Sequence, residues 1–108
     1  MQAFYADQFV LPLPAGHRFP MAKYARLRER LQSSLPLVSM QGAPAATDGE
    51  LALAHTPSYI EAIKTGTLPA AAQREIGFPW SAQMVERSRR SVGATVAAAR
   101  TALGLAAL

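Results

Sequence analysis

The sequence predicts a mixed α/β fold that is mostly helical and contains one or two short strands. Apolar residues recur at spacings of three and four over several stretches, which places them on one face of a helix. Ser or Thr precedes several of these stretches and Gly or Pro follows them, as at the starts and ends of helices. Two short runs of aromatic or branched residues, 4–6 and 37–39, are the candidate strands.

The first third of the chain is predicted to run from strand to loop to helix to strand. Residues 9–19 contain two prolines and a glycine, so an irregular loop should follow the first strand. Pro20 suits the first turn of a helix because the N–H that it lacks is not needed there. That helix should run to about residue 34, where Pro36 ends it. Its apolar face carries Tyr24, Leu27 and Leu31.

Three short helices are predicted after a Gly/Pro/Ala connector at residues 41–46. Thr47 and Glu50 have the spacing of a capping box, in which each side chain bonds the backbone N–H of the other residue. Thr56 precedes a proline and marks a second start, with a stop at Gly66. Ile60 and Ile63, with Tyr59, should form the buried side of that helix. The third helix should open at Pro69 and end at Gly77.

The longest helix should start after Ser81, cover residues 82–103 and stop at Gly104. An apolar stripe runs along it, formed by Met84, Val85, Val92, Val96, Ala99 and Leu103. Small residues would let a sheet or a second helix approach closely, but the sequence does not identify which. These small residues are Gly93, Ala94, Ala97 and Ala98.

Composition limits the class of protein. The 108 residues fit one small domain or part of a larger one, and half of them are apolar, much of this being alanine. The absence of cysteine excludes disulfides and thiolate metal sites. The N-terminus lacks a basic start, and the most apolar stretch, residues 92–108, is interrupted by Arg100, so neither a secretory signal nor a membrane span is predicted. We therefore expect a cytoplasmic protein.

The net charge of +4 comes mainly from two clusters, residues 23–30 and 87–90. Solvated helix faces are the simpler interpretation, and binding of phosphates or of an acidic partner is the alternative. Nucleic-acid binding is disfavoured because Glu86 adjoins the second cluster and the chain contains no asparagine.

The residues offer little for catalysis. His17 and His55 are far apart in sequence and lack a carboxylate at the spacing of metal ligands, so a zinc site is not predicted from them. No serine lies in a nucleophile-elbow pattern, and no glycine-rich phosphate loop is present. Asp7 is interpreted as a turn residue. The prediction is that this chain contains no catalytic and no metal-binding residue.

Three stretches, in order, resemble the histone deacetylase and acetoin-utilisation family of zinc-dependent amidohydrolases, in its bacterial form. The first is LPAGHRFPMAKY at residues 13–24. The second is LALAHTPSYI at residues 51–60, similar to a segment in which a helix begins after a histidine and a tyrosine. The third is IGFPWS at residues 76–81, followed by VGATVAAA at residues 92–99.

The resemblance implies a three-layer α/β/α arginase-deacetylase fold, of which residues 1–108 would be a single partial domain at the N-terminal end. It implies hydrolysis of N-acetyl amides, with acetyl-lysine or an acetylated polyamine as substrate and zinc as cofactor of the full-length enzyme. In the family the zinc ligands are two aspartates and a histidine, which would lie beyond the position of Leu108. This segment alone is therefore expected to bind no zinc and to be inactive.

The resemblance implies that two loops of this chain lie at the rim of the substrate tunnel. Phe78 stands nearest to an aspartate that holds the substrate backbone in many members, and Pro20 nearest to an arginine at the foot of the tunnel. Filling the space between helices is the alternative role for Phe78 and Trp80. The rim candidates are His17, Arg18, Phe19 and Pro20 in the first loop and Gly77, Phe78, Pro79 and Trp80 in the second.

A different class of function stays open from the sequence. An α/β domain that lacks most of its strands exposes apolar surface. A partner chain or a second copy could therefore bind to and cover the alanine-rich stripe of the long helix. The chain would then be a non-catalytic helical interaction module.

Overall fold

The computed structural model describes residues 1–105, which form two strands and five helices and confirm the mixed, mostly helical α/β class. Residues 106–108, the end of the apolar stretch, lie outside the described part. The elements in chain order are β1 (Gln2–Tyr5), α1 (Lys23–Ser34), β2 (Ser39–Gly42), α2 (Asp48–Leu51), α3 (Pro57–Thr65), α4 (Ala70–Ile76) and α5 (Ala82–Ala102). No helix among residues 1–105 is both long enough and apolar enough to span a membrane.

The two strands pair in parallel, with Gln2 opposite Ser39 and Tyr5 opposite Gly42. Parallel neighbours require a crossover, and the connection through α1 provides it. β1 begins two residues before the predicted strand and β2 begins two residues after it. The predicted bounds are wrong because pairing, and not local composition, decides which residues are extended: Leu37, a predicted strand residue, is 95% exposed.

α1 begins at Lys23, three residues after the predicted start. Pro20 lies in the turn that precedes the helix, where its carbonyl accepts the Lys23 N–H at 3.1 Å. On the predicted apolar face Tyr24 and Leu31 are half-buried, whereas Leu27 is exposed. Only part of that face is therefore covered.

The predicted helix starts after Thr47, Thr56 and Ser81 are confirmed. Thr47 and Glu50 form both hydrogen bonds of a capping box, at 3.1 and 2.9 Å. The Thr56 hydroxyl accepts the N–H of Tyr59, and the Ser81 hydroxyl accepts the N–H three residues on at 2.9 Å. These starts are local features, since each uses side chains within one turn.

The predicted helix ends are confirmed as well. Gly66 and Gly77 end α3 and α4 in the left-handed conformation, with φ of 70° and 86°. At Gly66 a side chain would also collide with the Trp80 ring, since a Cβ would lie 2.9 Å from it. α5 ends at Ala102, and Gly104 follows with φ of 72°.

One part of the core lies between β1, α5 and the connector at residues 43–46, and a second part lies between α3 and the start of α5. α5 packs along β1, and the connector is buried beneath it at Ala43 and Ala46. Gly93 allows this approach, because a Cβ there would lie 1.8 Å from the Pro44 carbonyl oxygen. The small residues of α5 thus pack against two partners: the strand β1, as one of the predicted alternatives, and at Gly93 the connector loop, which was not predicted. The buried apolar residues are Leu11, Ala43, Ala46, Ile60 and Met84.

The apolar stripe of α5 is covered unevenly. Met84 is buried and Val96 is half-buried, while Val92 is 37% exposed and Leu103 is 74% exposed. The end of the stripe that points away from α3 thus faces solvent in the described part of the chain.

Candidate functional site

The two loops that the sequence singled out as rim candidates meet in the structure. The imidazole of His17 stacks on the Phe78 ring with centroids 5.8 Å apart and planes at 28°. The Phe19 ring meets the same Phe78 ring edge-on, at 5.0 Å and 85°. Aromatic pairs favour these offset and edge-to-face arrangements. Phe78 therefore joins the loop before α1 to the loop between α4 and α5.

Tyr24, in the first turn of α1, extends this contact. Its ring lies 6.2 Å from the Phe19 ring, at an angle of 31°. We call the four rings of His17, Phe19, Tyr24 and Phe78 the rim cluster. Three of the four are on or next to the first loop, so the cluster ties that loop to α1 on one side and to the second loop on the other.

Two cations lie over the rim cluster. The Lys23 Nζ is 4.8 Å from the Phe19 centroid and 5.0 Å from the Tyr24 centroid. The Arg87 guanidinium carbon is 5.8 Å and 5.0 Å from the same two centroids. These distances are within the range of cation–π attraction. Neither cation forms an ion pair with any residue in 1–105.

Local hydrogen bonds fix the conformation of the first loop. The His17 N–H donates to the Pro14 carbonyl at 3.1 Å, and the His17 Nδ1 accepts the N–H of Phe19 at 3.1 Å. Gly16 makes the turn with φ of 82°. The neutral ring then carries its proton on Nε2. Arg18 and Pro20, the other candidates in this loop, are exposed.

The second loop is held from α4. The Gln73 side-chain amide donates to the Phe78 carbonyl at 2.8 Å, so the loop is fixed where Phe78 enters the rim cluster. Trp80 points elsewhere: its Nε1 donates to the Ile63 carbonyl at 2.7 Å and its ring lies against Gly66. Phe78 thus packs against His17 and Phe19, and Trp80 packs on α3; the rim role of these residues stays a prediction. Gly77 and Pro79 are exposed.

Asp7 and Arg28 form an ion pair beside β1 that the sequence did not predict. The guanidinium donates to both carboxylate oxygens, at 2.6 and 3.0 Å, and only 7% of the Asp7 side chain is exposed. The hydrogen bond to Asp7 raises the pKa of Arg28 above its ordinary value. Asp7 lies in a turn after β1, as predicted, but it does not stand alone. No short-range pattern signals this pair, because its members lie on different elements.

A cavity of about 340 Å³ lies between β1, α1 and α5 and connects this ion pair to the rim cluster. Asp7 and Arg28 line one part of it, and Tyr24 and Arg87 line another. Its lining follows β1 over residues 3–5 and continues past the carboxyl end of the strand to Asp7, on the side where open α/β sheets bind ligands.

The second basic cluster divides into structural and free arginines. Arg89 donates to the Ala46 carbonyl at 3.0 Å and pairs with Asp48. Arg90 donates to the Ala43 carbonyl at 3.0 Å and pairs with Glu86 at 2.8 Å. These two arginines fix the buried connector to α5. Arg87 alone of the three faces the rim cluster.

The histidines are not brought together as metal ligands. His55 stacks against Tyr59 at the start of α3, with centroids 5.6 Å apart, whereas His17 lies in the rim cluster. Within residues 1–105 no three His, Cys, Asp or Glu side chains converge as ligands of a metal ion. The described residues therefore do not fit a zinc site.

Comparison with known proteins gives one informative similarity. An uncharacterized protein of Picosynechococcus sp. (strain PCC 7002) is 42% identical over 101 residues, which cover 92% of this chain. The same alignment covers 34% of that protein, so the chain spans about a third of its length. No protein-family model matches the chain.

Proposed function

We propose that this chain is the N-terminal portion of a zinc-dependent, histone-deacetylase-like amidohydrolase that hydrolyses N-acetyl amides such as acetyl-lysine or an acetylpolyamine. In this proposal the rim cluster borders the entrance to the substrate tunnel. One observation carries the proposal: the two loops that resemble the family's rim loops, far apart in sequence, pack together through His17, Phe19 and Phe78.

The topology supports an N-terminal position in a larger α/β sheet. β1 and β2 are parallel, and parallel sheets in proteins are generally covered on both faces and have several strands. α5 returns alongside β1, so that the Thr101 hydroxyl lies 3.5 Å from the Gln2 side-chain oxygen. In a βαβ unit, the helix returns to the end of the sheet at which the parallel strands start, and the next strand begins there.

Zinc belongs, in this proposal, to the whole protein. The described residues offer no ligand set for it, and we assign the present chain no step of the hydrolysis. The present chain contributes the loops and the positive charges of the rim, against which the substrate lies. The similar cyanobacterial protein, of which the alignment covers 34%, is long enough for a whole domain of this kind.

The test is an amide-hydrolysis assay on the full-length gene product. We expect release of acetate from an acetyl-lysine peptide or an acetylpolyamine, loss of activity with a chelator and recovery with added zinc. The separate 108-residue chain should be inactive under the same conditions. Absence of hydrolysis by the zinc-loaded full-length protein would refute the proposal, and zinc-dependent hydrolysis by the short chain would refute the inactivity of this segment.

A non-catalytic interaction module is the second candidate, and its support is the exposure of large apolar side chains. Leu37 is 95% exposed and Leu53 is 89% exposed, while Leu103 is 74% exposed on α5. Such side chains are what a partner chain or a second copy would cover. A nucleic-acid-binding remnant has less support, because Arg89 and Arg90 already bond carbonyls and carboxylates of the protein.

A further inference from the structure

We infer that Lys23 and Arg87, the two cations over the rim cluster, recognise an anionic group on the substrate, so that the favoured substrates are acetyl-lysines flanked by acidic residues and not acetylpolyamines. The amide part of this inference rests on the proposed function. The recognition of an anion rests on the positions of Lys23, Arg87 and the rings alone.

Lys23 and Arg87 place two positive charges beside the same two rings, those of Phe19 and Tyr24. Each lies 5.0 Å from the centroid of the Tyr24 ring, so their separation cannot exceed twice that distance. This upper limit on their separation is comparable to the Debye length, which is about 8 Å at physiological ionic strength. Salt therefore screens the repulsion between the two charges only in part. A carboxylate placed beside them would remove that repulsion.

No carboxylate of the rim supplies this neutralisation. The rim stretches 13–24 and 76–81 contain no Asp or Glu, and Arg18 adds a third positive charge to the first. Glu86 adjoins Arg87 in sequence but pairs with Arg90 at 2.8 Å. Asp7, which lines the same cavity as Arg87, is already bound by Arg28. The positive potential is therefore available to a ligand.

The aromatic rings do not offer a cage for a polyamine. Aromatic faces bind ammonium groups when they are free, but the Phe19 and Tyr24 rings already have Lys23 and Arg87 within cation–π distance. A second ammonium group entering there would meet like charges, which disfavours binding. The same arrangement that attracts a carboxylate thus selects against a polycation.

The experiment is an NMR titration of the 108-residue chain with acetyl-lysine peptides of equal length whose flanking residues are acidic, neutral or basic, and with N8-acetylspermidine. We expect the acidic peptide to bind about tenfold more tightly than the basic one at low salt, with the difference shrinking as salt is added. The largest shifts should fall on Phe19, Tyr24 and Phe78. Equal affinity for acidic and basic peptides would overturn the inference.

Charge-reversal variants with a matched control distinguish binding at Lys23 and Arg87 from a general effect of the net charge of the chain. Lys23→Glu and Arg87→Glu should abolish the preference for the acidic peptide, whereas Arg26→Glu, an equal change on an exposed part of α1, should retain it. Circular dichroism checks that each variant is folded, and Lys23→Met or Arg87→Met replaces the corresponding reversal if that reversal unfolds the chain. Equal losses in all three reversals, or binding of an oligonucleotide but not of the acidic peptide, would contradict the inference.

The two proposals can fail separately. If the full-length protein hydrolyses an acetylpolyamine as efficiently as the acidic peptide, in kcat/KM, the inference is wrong while the proposed function stands. If the acidic peptide binds equally with and without its acetyl group and no amide is hydrolysed, the proposed function is wrong while anion recognition at Lys23 and Arg87 stands.

Discussion

Gly93 is the point at which α5 touches the connector between β2 and α2. A Cβ at this position would lie 1.8 Å from the Pro44 carbonyl oxygen and 3.0 Å from the Ala46 nitrogen. The atoms in the way belong to the backbone, which cannot rotate aside as a side chain can. A glycine inside a helix destabilises it by about 1 kcal/mol relative to alanine. The close contact between α5 and the connector therefore matters more for stability than the helix propensity lost at this position.

Gly93→Ala is therefore expected to lower the free energy of unfolding by about 3 kcal/mol or more, because the helix and the connector must separate to admit the methyl group. Urea denaturation followed by circular dichroism measures this. Gly49→Ala is the control: its Cβ would meet nothing closer than 3.8 Å, and the change should stay within about 0.5 kcal/mol. Equal stability of the two variants would contradict the account of the contact.

Residues of this kind show what the sequence could reveal at the finest scale. The run of small residues on α5 indicated a close approach, but its partner, the connector at residues 43–46, is distant in sequence and carries no signal of its own. The same holds for Lys23 and Arg87. Both were assigned to basic clusters, and only the tertiary structure places them over the same two rings.

At the scale of elements, the helix ends were predictable, except the start of α1, and the strand ends were not. Thr47, Thr56 and Ser81 form their caps with atoms less than one turn away, so the local sequence contains all the partners. A strand of four residues depends on hydrogen bonds to another strand, and its register is set by that pairing. β1 and β2 are therefore each shifted from the residues with the highest strand propensity.

The short helix α2 links to α3 and α5 through one carboxylate. Asp48 accepts hydrogen bonds from Arg89 of α5 and from Lys64 of α3, the latter at 3.0 Å. The pKa of Asp48 lies below its ordinary value, mainly because of the hydrogen bond from Arg89 and secondly because of the hydrogen bond from Lys64. The backbone N–H of Thr47 does the same for the pKa of Glu50. Both carboxylates are thus more acidic when the chain is folded.

Stability should consequently fall on the acid side. A depressed folded-state pKa contributes stability that is complete above the ordinary values, 3.8 for Asp48 and 4.5 for Glu50, and is lost as the pH falls through the lower folded values. Urea unfolding from about pH 6 to about pH 2 measures the slope. Asp48→Asn should make that slope shallower, whereas Glu75→Gln, at an exposed carboxylate outside every ion pair of residues 1–105, should not. An unchanged slope in Asp48→Asn would contradict this assignment.

At the scale of the whole molecule, the described residues form a thin slab. The principal extents are 45 × 35 × 17 Å, and the radius of gyration is 15.5 Å. A compact domain of this length has a radius of about 13 Å. Two of the five buried apolar residues are alanines, so the core is small for the surface that surrounds it.

Self-association is the expected result when this chain is studied alone. Sedimentation velocity should show the average mass rising over micromolar concentrations, because exposed apolar side chains are covered when copies meet. Leu37→Lys together with Leu53→Lys should shift the association to higher concentration, since these residues are 95% and 89% exposed. Thr67→Lys, which adds a charge at an exposed polar residue, is the control. A clean monomer throughout this range would contradict the prediction.

The mixed α/β class could be predicted from periodicity and caps, and the resemblance singled out the two loops without predicting that they touch. Phe78 does join His17 and Phe19, while Trp80 instead bonds the Ile63 carbonyl. The choice between these neighbouring aromatics depends on which side of α4 each one faces. That is decided by Gly77 and by the Gln73 bond to the loop, and the helical pattern does not specify it.

The parallel pairing of β1 also bears on how the chain acquires its structure during synthesis. β1 is made before every element that covers it: Gln2 pairs with Ser39, and its side chain lies beside Thr101 of α5. At about 5–20 residues per second, several seconds separate the emergence of β1 from that of the end of α5. β2 emerges early in this interval and can pair with β1, but the face of β1 that α5 covers stays exposed until α5 is complete. The strand pair is therefore open to chaperones and to wrong pairing until then.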